Sequence, residues 1–119
     1  MNLAVWIAAG LLAVVALFGG ITKAFVPQAK LAGTHGGEWT AHVPGSFVKT
    51  LGVLEILAAA GLILPAALDI APVLTRVTAI CWMLLMIGAM ITHVRTGGPK
   101  FALLNLFYLA LAAYVAVAA

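Results

Sequence analysis

Charged residues are what this chain has least of. Only 8% of its 119 residues are Asp, Glu, Lys or Arg, whereas 66% are hydrophobic, and the mean hydropathy is +1.23. A soluble domain of this size could not cover so much apolar surface, which excludes that class. The few basic residues lie at the ends of apolar segments, an arrangement that is not a nucleic-acid patch. The sequence therefore indicates an integral membrane protein that forms one unit.

Redox and catalytic motifs are also lacking. The single cysteine, Cys81, excludes an intrachain disulfide and a CxxC redox pair. There is no nucleophile elbow or phosphate-binding loop. His35, Glu38 and His42 are possible metal ligands, but their spacing matches no established site, so we expect no metal. Any redox chemistry would need a partner protein or a bound quinone to carry the electrons.

Four apolar segments remain, at about residues 3–26, 47–67, 72–94 and 101–118. Each is long enough, at about 1.5 Å per residue, to cross a hydrocarbon core of about 30 Å. The first has no basic n-region and exceeds a signal-peptide core, so we expect it to be retained. The sequence predicts an all-α, integral membrane, four-helix antiparallel bundle, with residues 1–119 as a single transmembrane domain.

The connections between these segments are unequal. Residues 27–46 (loop 1) form a long connection, whereas residues 69–71 (loop 2) and 96–100 (loop 3) are short turns. Long loops often carry function. Trp39 suits an interfacial segment folded back onto the mouth of the bundle; the alternative is that it anchors an otherwise idle loop.

Basic residues predict the orientation. Five of the six belong to the side of loops 1 and 3: Lys23, Lys30, Lys49, Arg95 and Lys100. Arg76 is on the other side, near Asp69, with which it could pair. The positive-inside rule then places loops 1 and 3 in the cytoplasm and both termini outside the cell membrane.

Small residues at helical spacing predict where the helices touch. They form one face of the first segment, one of the second and a pair in the third: Ala9, Ala13, Ala16 and Gly20; Gly52 and Ala59; Gly88 and Thr92. Such faces let backbones approach closely in lipid. In the first two segments they also carry the charged Lys23 and Glu55, which indicates that these charges point inward.

A polar constellation is expected around Glu55. A charged residue at this depth costs about 2.5–3.5 kcal/mol on insertion scales, so its carboxylate should be protonated or face a cation. All the candidate polar groups fall in the half of the membrane next to loops 1 and 3, and the other half is almost purely apolar. We predict a ligand site formed by Lys23, Trp39, Glu55, His93, Arg95, Asn105 and Tyr108.

Lys23 is the nearest inward-facing cation, Arg95 is a bidentate alternative, and His93 is a proton carrier near neutral pH. Each group also has a structural interpretation. Lys23 and Arg95 could extend to the lipid headgroups, His93 could be held by the helix dipole, and Asn105 could join helices. A pair between Lys23 and Glu55 could be purely structural.

The same residues resemble the DoxX-like family of small four-helix membrane proteins. The resemblance rests on GITK at residues 20–23, GVLEIL at 52–57, GLILP at 61–65 and MIGAMITHVR at 86–95. Order, spacing and length agree across essentially the whole chain, whereas loop 1 matches little beyond a tryptophan and a proline.

The resemblance implies several functions, because the family is diverse. One branch includes the membrane subunit of archaeal thiosulfate:quinone oxidoreductase, another the animal chaperone of nicotinic acetylcholine receptors, and bacterial relatives are associated with redox-stress complexes. We therefore expect a quinone- or apolar-ligand-binding subunit of a redox-related membrane complex. The alternative is a non-enzymatic assembly factor that binds a client protein. Lipid contact and a homo-oligomer are expected in both cases.

Overall fold

The computed structural model describes residues 1–33, 37–95 and 99–119, and these ranges are helical with no strand. Four long helices, α1 (Leu3–Phe25), α3 (Gly45–Ala67), α4 (Val73–Arg95) and α5 (Pro99–Ala118), are joined by short loops and by a folded first connection. That connection contains α2 (Gln28–Ala32) and a 3₁₀ helix (Glu38–His42). All four long helices are apolar and long enough to span a membrane. The all-α membrane bundle with a long first loop is confirmed.

The long helices pack as two close pairs, α1 with α3 and α4 with α5, which meet along the α3–α4 and α1–α5 seams. The buried apolar core lies between them and includes Leu12, Leu62, Trp82, Met86 and Val115. Each helix buries one narrow face and exposes large apolar side chains elsewhere. Exposing so much apolar surface to water would be unfavourable, whereas contact with lipid acyl chains is not. The outer surface of the bundle therefore suits a membrane.

Two glycines bring the backbones of α1 and α3 together. A Cβ on Gly20 would lie 2.6 Å from the Gly52 carbonyl oxygen, and one on Gly52 would lie 2.6 Å from the Ala24 nitrogen. Only residues without a side chain fit here. The predicted small-residue contact between the first two spanning helices is therefore present. The pair predicted in α4 is not a helix contact, because Gly88 is exposed with open space around it, and Thr92 Oγ1 donates to the Gly88 carbonyl at 2.9 Å.

The first connection is held by one amide side chain. Gln28 Nε2 donates to the carbonyl oxygens of Thr40 at 2.5 Å and Val43 at 2.6 Å. Thr40 is buried, and its hydroxyl donates to the Gly37 carbonyl at 2.7 Å. These bonds satisfy backbone acceptors that a loop at a membrane surface would otherwise leave open. The segment around Trp39 is consequently fixed against α2 and the start of α3.

At the opposite end, Arg76 joins α4 to the end of α5. Its guanidinium donates to the carbonyl oxygens of Ala119 and, at 3.4 Å, Val117. The expected pairing of Arg76 with Asp69 is thus replaced by a cap on α5, whose last carbonyls have no partner within the helix. Asp69 and Ala71 adopt positive φ values of 53° and 46° in the turn between α3 and α4.

Candidate functional site

The most buried charge in the bundle is neutralised by a direct ion pair. Glu55 is 5% exposed, and Lys23 Nζ lies 2.9 Å from its Oε2 and 3.1 Å from its Oε1. One ammonium group thus donates to both carboxylate oxygens. Because the two charges cancel locally, the pair avoids much of the cost of holding an isolated charge in lipid.

Helix direction explains how these two residues meet. Lys23 and Glu55 each lie three residues after the glycine that their own helix contributes to the crossing, Gly20 in α1 and Gly52 in α3. Side chains tilt towards the N-terminus of their own helix. Since α1 and α3 are antiparallel, both side chains tilt towards the crossing and towards each other. Lys23 therefore turns inward, and the alternative in which it extends to the headgroups is wrong.

Gly19 gives the pair its space. A Cβ at this position would lie 3.3 Å from Glu55 Oε2 and 3.4 Å from Lys23 Nζ, so the ion pair rests against the bare backbone of α1. The Lys23 side chain remains 22% exposed. The carboxylate is therefore enclosed, whereas its cation keeps access to the side of loop 1.

A second polar group is formed by α4 and α5. The His93 ring contacts Phe101 at a centroid distance of 5.5 Å and an interplanar angle of 34°. Phe101, Asn105 and Tyr108 are spaced four and three residues apart, so they share one face of α5. Asn105 is 8% exposed, and its Nδ2 has no hydrogen-bond partner within the described ranges. Tyr108 is half-buried and packs against the core.

The predicted site residues are thus distributed in four places. The α1–α3 pair brings Lys23 and Glu55 together, and the α4–α5 pair carries His93, Asn105 and Tyr108. Arg95 is exposed and lies beside a lipid-facing groove instead of next to Glu55. Trp39 is half-buried on the 3₁₀ helix.

Sequence reasoning missed two further buried polar groups. Trp82 Nε1 and Thr75 Oγ1 have no hydrogen-bond partner among the described residues, although Trp82 is only 3% exposed. Both residues occur in an apolar segment, where we counted tryptophan as a hydrophobic residue. The polar atom in each side chain was the feature of the sequence that could have identified them. The half of the bundle near the termini is consequently less purely apolar than expected.

Possible metal ligands are scattered over the fold. Within the described ranges, no three His, Cys, Asp or Glu side chains lie close enough together to hold a metal ion. His35 lies outside the described residues, and His42 is exposed. The chemical capacity that the geometry does provide is different. A neutral ion pair is fixed in one helix pair, and a buried amide donor in the other has no acceptor among the residues that the structure describes.

A buried donor without an acceptor costs about 1–3 kcal/mol, so it is retained only where something compensates for it. An apolar ligand that carries a carbonyl oxygen would supply the acceptor. Amide donors, aromatic rings and apolar side chains are the kinds of groups that bind such ligands.

Comparison with known proteins agrees with the sequence motifs. The model of the DoxX-like family matches residues 7–115, nearly the whole chain. No curated protein and no solved structure shows significant similarity to it. The resemblance drawn from the glycine–lysine and glycine–glutamate motifs is confirmed at the level of the family.

Proposed function

Because this chain belongs to the DoxX-like family of membrane proteins, we propose that it binds an apolar ligand with a carbonyl head group, of the quinone class. The ligand would lie in the half of the bundle next to loops 1 and 3. The single observation that carries the proposal is Asn105, whose amide nitrogen is buried and makes no hydrogen bond within the described ranges.

Asn105 is suited to the role because of its position on α5. Phe101 lies one turn before it on the same face, and the His93 ring packs against Phe101. Tyr108 follows almost one turn later and has a phenolic group. In the proposal, Asn105 donates to a head-group oxygen while these rings flank the head group. Arg95 follows His93 by two residues, on the opposite side of α4, and lies outside this ligand site.

The Lys23–Glu55 ion pair lies in the same half of the bundle as Asn105. With 22% of its side chain exposed, Lys23 is accessible from the side of loop 1, while Glu55 is enclosed. Reduction of a bound quinone to the quinol takes up two electrons and two protons, and the protons would enter from the side of loop 1. Trp39, on the 3₁₀ helix, would cover the entrance. Electrons would come from a membrane redox partner, since the chain has no redox motif of its own.

A second candidate is a non-enzymatic assembly factor for a client membrane protein. Lys23 and Glu55 satisfy each other, and the Gly20–Gly52 contact shows that this region is tightly packed. In that case the polar groups hold the helices in place, and the exposed apolar faces bind client helices or further copies of the chain.

A titration distinguishes the two candidates. The purified protein in mild detergent is titrated with decyl-ubiquinone or with decylbenzene, which has a similar tail without carbonyls, and thermal unfolding is followed. We expect the quinone alone to raise the melting temperature. Asn105→Leu should lose this response while the ligand-free variant is as stable as the wild type or more so, because an orphaned donor has been removed.

Thr75→Val is the matched control, since it also removes a buried unpaired polar atom, but from the other end of the bundle. It should keep the full response to quinone. If Asn105→Leu unfolds more readily than the wild type, and no ligand stabilises any variant, the assembly-factor role is the better account.

The orientation is part of the same proposal. Lys30, Lys49, Arg95 and Lys100 are exposed at one end of the bundle, which supports cytoplasmic loops 1 and 3. Cysteine labelling from outside intact cells tests this. In a Cys81→Ala background, Leu68→Cys should react with an impermeant maleimide and Lys49→Cys should not. The reverse result would invert the topology.

A further inference from the structure

A shallow apolar groove runs along the lipid-facing side of the α4–α5 pair. It is lined by Met90, Ile91, Val94, Arg95 and Ala102 and has a volume of about 330 Å³. At about 30 Å³ for a group the size of a water molecule, that is room for part of an acyl chain. The small side chain of Ala102 leaves the groove open between the two helices.

A basic group stands at the membrane-surface end of this groove. Arg95 is the last residue of α4, is exposed, and makes no hydrogen bond or ion pair with other described residues. Lys100, near the start of α5, is also exposed and adds positive potential at the same end. A guanidinium group binds a phosphate in bidentate geometry, and lipid headgroups lie at this depth.

The groove is separate from the proposed ligand site. At about 100° per residue, His93 lies roughly 130° around α4 from the middle of the residues that line the groove. On α5, Asn105 likewise lies about 60° from Ala102, on the side of Phe101. The polar cluster and the groove therefore lie on different faces of α4 and at adjacent positions around α5.

We propose that this groove binds an anionic phospholipid of the surrounding membrane. One acyl chain lies along Met90, Ile91 and Val94, and Arg95 holds the phosphate. The charge complementarity selects this occupant, because apolar walls alone would accept any lipid. The interaction uses surface that neither the core nor the Lys23–Glu55 pair needs, so it is independent of the quinone proposal.

Native mass spectrometry tests the assignment. The protein is reconstituted in nanodiscs of phosphatidylcholine with one fifth phosphatidylglycerol, re-extracted in mild detergent, and analysed for retained lipid. The wild type should keep phosphatidylglycerol in preference to phosphatidylcholine. Arg95→Gln should lower that retention about fivefold, which corresponds to about 1 kcal/mol for one basic residue near an anionic surface.

Two matched controls keep the test specific. Lys49→Gln removes an exposed charge on the same side of the membrane but away from the groove, and it should leave retention unchanged. Val94→Trp fills the groove and should reduce the retention of phosphatidylglycerol, whereas Val77→Trp, at an exposed position elsewhere on α4, should not.

Three results would overturn the proposal. Equal losses of phosphatidylglycerol in Arg95→Gln and Lys49→Gln would mean that the lipid is held by general attraction to a basic surface. Full retention of phosphatidylglycerol in Val94→Trp would mean that the groove is not the binding site. If the groove variants changed the oligomeric state while leaving lipid retention intact, a second copy of the chain would be its occupant.

Discussion

Replacing Gly52 with alanine probes the crossing on which the ion pair depends. The new methyl group would lie 2.6 Å from the Ala24 nitrogen and 2.7 Å from the Gly20 carbonyl oxygen. Both distances are shorter, by up to about 0.8 Å, than the 3.4 Å at which ordinary van der Waals contact begins. Both neighbours are backbone atoms and cannot rotate away. The helices must move apart, so overpacking should cost about 1–3 kcal/mol and stretch the contact between Lys23 and Glu55.

Gly88→Ala is the control, because a Cβ there meets nothing within 4 Å. Both variants gain the same helix propensity, up to about 1 kcal/mol. The difference between them therefore isolates the crossing, and we expect Gly52→Ala to be less stable than Gly88→Ala by about 1–3 kcal/mol. Unfolding by sodium dodecyl sulfate in mixed micelles, followed by circular dichroism, measures this difference. Equal midpoints would refute the close approach of α1 and α3.

Three further predictions concern individual contacts. Lys23→Met leaves the Glu55 carboxylate buried without its cation and should lower the free energy of unfolding by about 3–5 kcal/mol in the same assay. Adding Glu55→Gln should restore most of this stability. A double variant as unstable as Lys23→Met would argue against the ion pair. Gln28→Ala breaks two hydrogen bonds worth about 0.5–1.5 kcal/mol each. Amide hydrogen exchange in the 3₁₀ helix should therefore be faster in this variant than in the control Lys30→Ala. Equal exchange rates in both would show that the Gln28 hydrogen bonds do not hold the first connection. Arg76→Met should accelerate exchange in the last turn of α5, and unchanged exchange there would contradict the cap.

The fold was largely predictable because lipid imposes it. Length and hydropathy identified the four spanning helices, and helical spacing put Gly20, Gly52 and Glu55 on inward faces. The partner of Glu55 also followed from the sequence, since Lys23 shares the small-residue face of α1. These features depend on periodicity within one helix, which a sequence displays directly.

Other features depend on contacts between distant segments, and spacing does not encode those. Arg76 was matched to the nearest acid in sequence, yet it binds carbonyls at the end of α5. Gly88 has the same spacing to Thr92 as a contact pair but faces open space. The structure of loop 1 depends on Gln28, whose long-range hydrogen bonds leave no local pattern. Arg95 was grouped with the polar cluster by depth alone, whereas its direction around α4 places it at the groove.

The most direct test of the central claim is the ligand that the protein carries out of its own membrane. Wild type, Asn105→Leu and Thr75→Val are purified in mild detergent and analysed by native mass spectrometry with organic extraction. The proposal predicts a stoichiometric quinone-class ligand in the wild type and in Thr75→Val, and its loss from a folded Asn105→Leu. Equal ligand content in all three, or none in any of them together with a destabilised Asn105→Leu, would contradict it.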